Sequence, residues 1–260
     1  MILLELCLFL SLSAVCSANG SQMSAADRIV GGSAIDISKV PFMLSFMVNS
    51  EHACGASILS KDWALTAAHC VVSFLPPSPA NVTVRSGSNN HDYGGTVHNV
   101  THMIVHEKYN SDNEDYDVAV VRVHPPFNFS RVAQPVKLPR RSSFVNESWG
   151  LIAGWGYFID MDPVLSEDLE YVVLPRVSRE TCRQNYAGRY EVTDRQICYG
   201  FQNGGKDSCK GDSGGALTVD STAIGITSWG DECAAERSPG VYTDVISVVD
   251  WIRNKAMLDE

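Results

Sequence analysis

From residue 42 onward the chain is a succession of short apolar runs cut by Gly, Pro, Asn and Ser, as at 42–48, 63–68, 118–123, 150–154 and 223–228. Runs of that length between turn formers predict strands, and many of them in one chain predict a β sandwich or barrel. Helical periodicity is expected only at the C-terminus. There Val245, Val248, Val249 and Ile252 recur at three- and four-residue spacing, with Lys255 close behind. Residues 75–80 read as a Pro-rich loop and 160–170 as an acidic loop. Residues 134–140 carry two prolines and read as a joint between halves of similar size. A chain of 260 residues accommodates one large all-β domain.

The N-terminus sets the compartment. Residues 2–15 are almost all apolar or small, broken by Glu5, and are followed by Cys16, Ser17 and Ala18. The run falls short of the roughly 20 apolar residues a spanning helix needs and reads as a secretory signal peptide over 1–18. Its removal leaves Cys54, Cys70, Cys182, Cys198, Cys209 and Cys233. An even set in a secreted chain predicts disulfides, and spacing alone leaves all 15 pairings open. No C-x₂-C knuckle occurs, so zinc is not expected. Secretion also makes Asn81, Asn99, Asn128 and Asn146, each heading an N-x-[S/T] sequon, candidate glycosylation sites on surface turns. The net charge of −10 argues against nucleic acid or an anionic membrane as partner.

His98, His102 and His106 are four apart, which on a helix would place them on one face. The surrounding residues are β-branched and predict a strand instead. On a strand neighbouring members stand roughly 13 Å apart, too far to share one ion. No metal and no cofactor are expected.

Three windows carry chemistry. In 207–215 (DSCKGDSGG) a serine is flanked by glycines, which let the backbone turn tightly and aim two N–H groups at one developing oxyanion. In Thr66-Ala-Ala-His-Cys70 a histidine adjoins a cysteine, and a serine nucleophile requires a base to take its proton. In Asp115-Tyr-Asp-Val-Ala-Val120 a carboxylate stands at the mouth of an apolar strand; Asp115 and Asp117 compete for that part, and a turn or helix cap is the plain alternative for either.

These windows, in this order, resemble the trypsin-like serine proteases of the chymotrypsin family. Ile29-Val-Gly-Gly32, Ala153-Gly-Trp-Gly156, Ser228-Trp-Gly230 and Pro239-Gly-Val-Tyr242 add to the likeness, which runs from Arg28 to the final helix. The resemblance implies two packed six-stranded antiparallel β-barrels with a C-terminal α-helix, joined by a crossover near 131–141. It implies Ser213 as nucleophile, His69 as general base, Asp117 as its orienting acid because it directly precedes the apolar strand, and Gly211 with Ser213 as oxyanion hole. It implies the disulfides Cys54–Cys70, Cys182–Cys198 and Cys209–Cys233.

The same likeness implies activation by cleavage between Arg28 and Ile29. That would make 19–28 a propeptide and 29–260 the protease domain, with the new Ile29 ammonium paired to Asp212. Asp207 would floor the specificity pocket between Gly230 and Gly240. Ser228, Trp229 and Gly230 would run along the substrate, and cleavage would follow Arg or Lys. Serpins or small protein inhibitors are the implied partners of a monomer. Two departures stand out. Glu232 replaces the family's usual Gly near the pocket, and 86–91 lacks the acidic ligands of the vertebrate trypsin calcium loop, so no calcium is expected there. The rival readings are a chymotrypsin- or elastase-like preference, against which Asp207 speaks, and a non-catalytic binding protein, against which the intact Ser, His and Asp speak.

Overall fold

The protein is described by a computed structural model over residues 31–76, 81–140, 149–159 and 162–258. The expected signal peptide (1–18), the expected propeptide (19–28), Ile29 and Asn146 lie outside these residues.

Fifteen strands and two α-helices are described. β1 (Ser33–Ala34) precedes β2 (Met43–Val48), β3 (Glu51–Ile58), β4 (Trp63–Thr66), β5 (Val82–Ser86), β6 (Thr96–Val105) and β7 (Ala119–His124). The last six close into an antiparallel barrel in the order β2-β3-β4-β7-β6-β5. The β2–β3 hairpin turns on Asn49 and Ser50, both at positive φ, the paired left-handed geometry that matches the twist of a two-residue hairpin.

β8 (Trp149–Gly154), the hairpin β9 (Tyr157–Ile159) and β10 (Asp162–Leu165), β11 (Glu170–Val177), β12 (Gln196–Tyr199), β13 (Ala216–Val219), β14 (Thr222–Trp229) and β15 (Gly240–Asp244) follow. β8, β11, β12, β15, β14 and β13 form the second six-stranded ring, closed where Thr218 meets Leu151. β1 pairs onto β11 through Ser33–Tyr171 and Ala34–Glu170, so the N-terminal segment is stitched to the barrel formed by the later half of the chain. One continuous core joins Leu44, Phe46 and Val120 of the first barrel to Trp155, Ala216 and Ile226 of the second. Strands such as β2, with all but its last residue buried, are covered on both faces for that reason.

The C-terminal periodicity forms helix α2 (Val245–Lys255), with Val245, Val248, Val249 and Ile252 buried. The Asp244 carboxylate caps its first turn, and Arg253 and Lys255 face its negative end. A second helix, α1 (Arg179–Tyr186), has no counterpart in the expectation of a lone C-terminal helix. Its eight residues give too few turns for a periodic signal. It is held by the Ser178 cap and by a disulfide at Cys182. The acidic stretch 160–170 is also not simply a loop, for it contains β10 and the buried first residue of β11, Glu170. Of the sequons, Asn81 and Asn128 are exposed outside strands, whereas Asn99 is exposed within β6 rather than on a turn.

The three spaced histidines fall on β6 and just beyond it, and they part company. His98 bonds Ser86 and the Pro125 carbonyl, His102 is exposed, and His106 stacks on Tyr116. In the neighbouring loop the Arg85 guanidinium donates to the carbonyls of His91 (3.0 Å), Gly94 (2.6 Å) and Asp92 (2.5 Å). A fixed organic cation thus gathers the oxygens of that turn.

Candidate active site

The three chemical windows meet at the seam between the barrels. His69 lies in the turn after β4, Asp117 stands just before β7, and Ser213 lies in the loop before β13.

Asp117 is wholly buried, so its charge must be met by donors. Oδ1 accepts the His69 backbone N–H (2.9 Å). Oδ2 accepts the His69 Nδ1–H (2.8 Å) and the Ser228 hydroxyl (2.6 Å). The Thr243 hydroxyl secures the Asp117 carbonyl from the second barrel (2.9 Å). With Nδ1 as donor, Nε2 of the neutral ring is left as a proton acceptor. Burial pulls the His69 pKa down. The hydrogen bond to Asp117, the charge of Asp117 and the charge of Glu114 more than reverse this and hold it above the ordinary histidine value.

Ser213 meets this seam beside the Cys54–Cys70 disulfide. Gly55, next to Cys54, donates its N–H to the Ser213 carbonyl at 2.7 Å. The sulfur of Cys70, next to His69, lies 3.6 Å from that same oxygen and 3.6 Å from His69 Nε2. Gly214 sits at φ +82°, and a Cβ there would drive into Thr66 and the Gly55 carbonyl, so only glycine lets the two barrels close at this point. The other two disulfides, Cys182–Cys198 and Cys209–Cys233, are also present as the resemblance implied.

The loop before Ser213 is held from behind. The Gly211 carbonyl accepts from His52 Nε2 (3.0 Å), and His52 Nδ1 accepts from the Ser45 hydroxyl (2.8 Å). Burial drives the His52 pKa down to about 4, which keeps the ring neutral. Asp212 is buried and accepts the N–H groups of Gly156 and Cys209, each at 2.9 Å; burial pushes its pKa up to about 6. Among the described residues, the N–H groups of Gly211 and Ser213 have no acceptor within the protein.

Beside Ser213 opens a cavity of about 220 Å³, lined among others by Asp207, Ser228, Trp229, Gly230 and Gly240. Asp207 is only 4% exposed. It accepts the Ser208 N–H (2.8 Å), and burial pushes its pKa up to about 7. A Cβ at Gly240 would fall 3.1 Å from the Asp207 carboxylate, whereas one at Gly230 would meet nothing within 4 Å. Glu232 is exposed on the lining of the same cavity.

Asp115 and Asp117 have different partners. Asp115 turns to the second barrel, where Arg195 binds it through Nε (2.8 and 3.0 Å) and Nη2 (2.7 Å) and Thr193 adds a hydroxyl (2.8 Å). Three contributors escaped the sequence reading: Glu114, the Ser45–His52 pair, and Ser228 as a donor to Asp117. Glu114 adjoins a motif already singled out, but nothing along the chain says that it turns toward His69. Oxygen atoms of Glu114 and Asp117 and a nitrogen of His69 lie within 4.8 Å of one another. Both oxygens of Asp117 already hold hydrogen bonds, so the group is the hydrogen-bonded acid–imidazole pair with a neighbour rather than an ion cage. Cys54 and Cys70, which also approach His69, are oxidised to a disulfide and offer no thiolate.

A buried carboxylate on a histidine, a serine beside free amides and a cleft between two β-barrels define a serine hydrolase site. A family model described as Trypsin matches residues 29–252, and the chain belongs to the trypsin family of serine proteases. Trypsin 5G1 of Aedes aegypti is 41% identical over 235 residues, which cover 90% of this chain and 86% of that protein. The vitellin-degrading protease of Bombyx mori is 34% identical over 226 residues, 86% of this chain and 84% of its own.

Proposed function

We propose that the protein is a secreted endopeptidase, made as a zymogen, that cleaves after Arg or Lys. Ser213 Oγ attacks the scissile carbonyl while His69 Nε2 takes its proton. The N–H groups of Gly211 and Ser213 receive the tetrahedral oxyanion. His69 then protonates the leaving amine, and water attacks the acyl-enzyme with His69 again as base. Asp117 holds the tautomer and stabilises the imidazolium. Trp229 and Gly230 present a strand edge to the substrate backbone.

The observation that carries the specificity is Asp207, a carboxylate 4% exposed on a cavity that also borders Ser213. A substrate cation there relieves the cost of a buried charge, and a neutral side chain does not. Activation follows from release of residues 1–28 after Arg28. The Ile29 ammonium then joins Asp212, a buried carboxylate whose pKa burial raises. A monomer open to serpins and small protein inhibitors fits a cleft of this form.

The test is the proenzyme cleaved after Arg28 and assayed on matched peptides with Arg, Lys, Phe or Ala before the scissile bond, with Ser213→Ala as control. Turnover on Arg and Lys that disappears in the control supports the reading. A preference for Phe or Ala overturns the pocket assignment and keeps the triad.

A further inference from the structure

Tyr116, the residue before Asp117, has a left-handed backbone (φ 54°). An aromatic residue keeps that conformation only when its surroundings impose it. The Tyr116 carbonyl accepts the Val118 N–H at 2.8 Å, which closes a three-residue turn with Asp117 at its apex. The direction in which the Asp117 side chain leaves the backbone therefore depends on how Tyr116 is held.

Three parts of the fold converge on the Tyr116 ring. His106, just beyond β6 in the first barrel, stacks on it at 4.5 Å with an interplanar angle of 22°. Arg195, from the second barrel, sets its guanidinium 4.9 Å from the ring centroid while it binds Asp115. Helix α2 reaches the same place through Trp251, whose ring lies 4.8 Å from His106 and whose Nε1–H donates to Glu107 at 2.7 Å. Lys108 adds a second cation 5.6 Å from the Tyr116 centroid. Stacking and cation–π contacts of this kind offset the cost of a strained backbone. The ring is half-buried and does not line the cavity beside Ser213, so it works from behind the acid and not on a substrate.

We propose that Tyr116 is a positioning residue: its ring, clamped by His106 and Arg195, holds the left-handed turn that aims the Asp117 carboxylate at His69. The proposal rests on the reading of His69 and Asp117 as base and orienting acid. Ser228 and Thr243 secure Asp117 from the second barrel, and the Tyr116 clamp fixes the chain that leads into it.

The experiment compares wild type, Tyr116→Phe, Tyr116→Ala, Tyr116→Asn and Asp117→Asn, each cleaved after Arg28 and assayed on one Arg peptide. Tyr116→Ala is expected to lose about tenfold in kcat with KM within about twofold, since a small misplacement of a catalytic group costs rate. Tyr116→Phe keeps the ring face and is expected to restore kcat. Tyr116→Asn lacks the ring but is at ease in the left-handed region, and is expected to lose less than about threefold. Wild-type kcat in Tyr116→Ala overturns the proposal, as does an equal loss in the Phe, Ala and Asn variants. Tyr116→Leu, which keeps bulk without an aromatic face, takes the place of Tyr116→Ala should that variant not fold.

A second readout needs no turnover. Burial lowers the His69 pKa, and the Asp117 bond and charge, with the charge of Glu114, raise it. The His69 ring, titrated by NMR in Ser213→Ala protein, is therefore expected to release its proton at lower pH when Tyr116→Ala is added, because the Asp117 bond is loosened. A titration that does not move overturns the proposal. Wild-type kcat in Asp117→Asn fails the acid–base reading and takes the proposal with it. An inactive Asp117→Asn beside a fully active Tyr116→Ala overturns the proposal alone.

Discussion

Asp117 grips His69 twice, taking the backbone N–H on one oxygen (2.9 Å) and the ring Nδ1–H on the other (2.8 Å). The two bonds together set the position of the residue and the rotation of its ring. Asp115, two residues away, is spent on Arg195. Asp117→Asn is therefore expected to lower kcat by about 10⁴-fold with little loss of fold, since the amide favours the wrong tautomer. Asp115→Asn is expected to cost about 1–3 kcal/mol of stability and less than about tenfold in kcat, because it loosens a tie between the barrels. Thermal melts and steady-state kinetics on both variants check this, and a reversed pattern would exchange the two roles.

Asp207 sets function against stability. Burial raises its pKa from 3.8 to about 7. Across that interval the folded protein keeps a proton that the unfolded chain has released. This group's stabilisation is thus complete below about pH 4 and is lost as pH rises through about 7. Asp207→Asn is expected to match wild type in Tm near pH 4 and to exceed it near pH 8. It is also expected to lose about 10³-fold in kcat/KM on Arg substrates, because a buried guanidinium would be left unpaired. Equal Tm values at alkaline pH would show that the carboxylate is already compensated.

Glu114 acts on the base. Its charge is one of the causes that hold the His69 pKa above the ordinary value, and His69 must be neutral to accept a proton. Glu114→Gln removes that contribution, so the acid limb of kcat/KM is expected to move to lower pH. A limb that stays in place would mean that Asp117 alone sets the imidazole.

The three carbonyl contacts of Arg85 organise the turn over residues 91–94 from within the protein. Arg85→Met is expected to lower stability by about 2 kcal/mol, the scale of lost hydrogen bonds to a charged donor. A chelator such as EDTA is expected to leave the wild-type Tm unchanged. A Tm that falls with EDTA and recovers with calcium would assign the turn to a metal instead.

Helix α2 was legible because its apolar spacing is local and repeated, and the same four residues that carry the period are buried. Strands such as β2, β4 and β7 were legible for a like reason, as short apolar runs between turn formers. Helix α1 was not, because a disulfide and a cap hold it rather than a stripe of its own. Strand β10 hid inside an acidic stretch because pairing of two short strands depends on a partner strand, not on composition.

The site divides along the same line. The sequence by itself determined the β architecture, the three chemical windows and the family, since each rests on residues adjacent in the chain. Only the tertiary structure decided which aspartate faces His69, that Ser228 shares that carboxylate, that His52 braces the Gly211 carbonyl, and that Glu114 stands beside the imidazole. Most of these contacts join residues tens to more than a hundred positions apart, brought within a few ångströms by two barrels closing on one core. Glu114 lies nearer to Asp117 in the chain, but the turn of the backbone that aims it at His69 is held by that same packing.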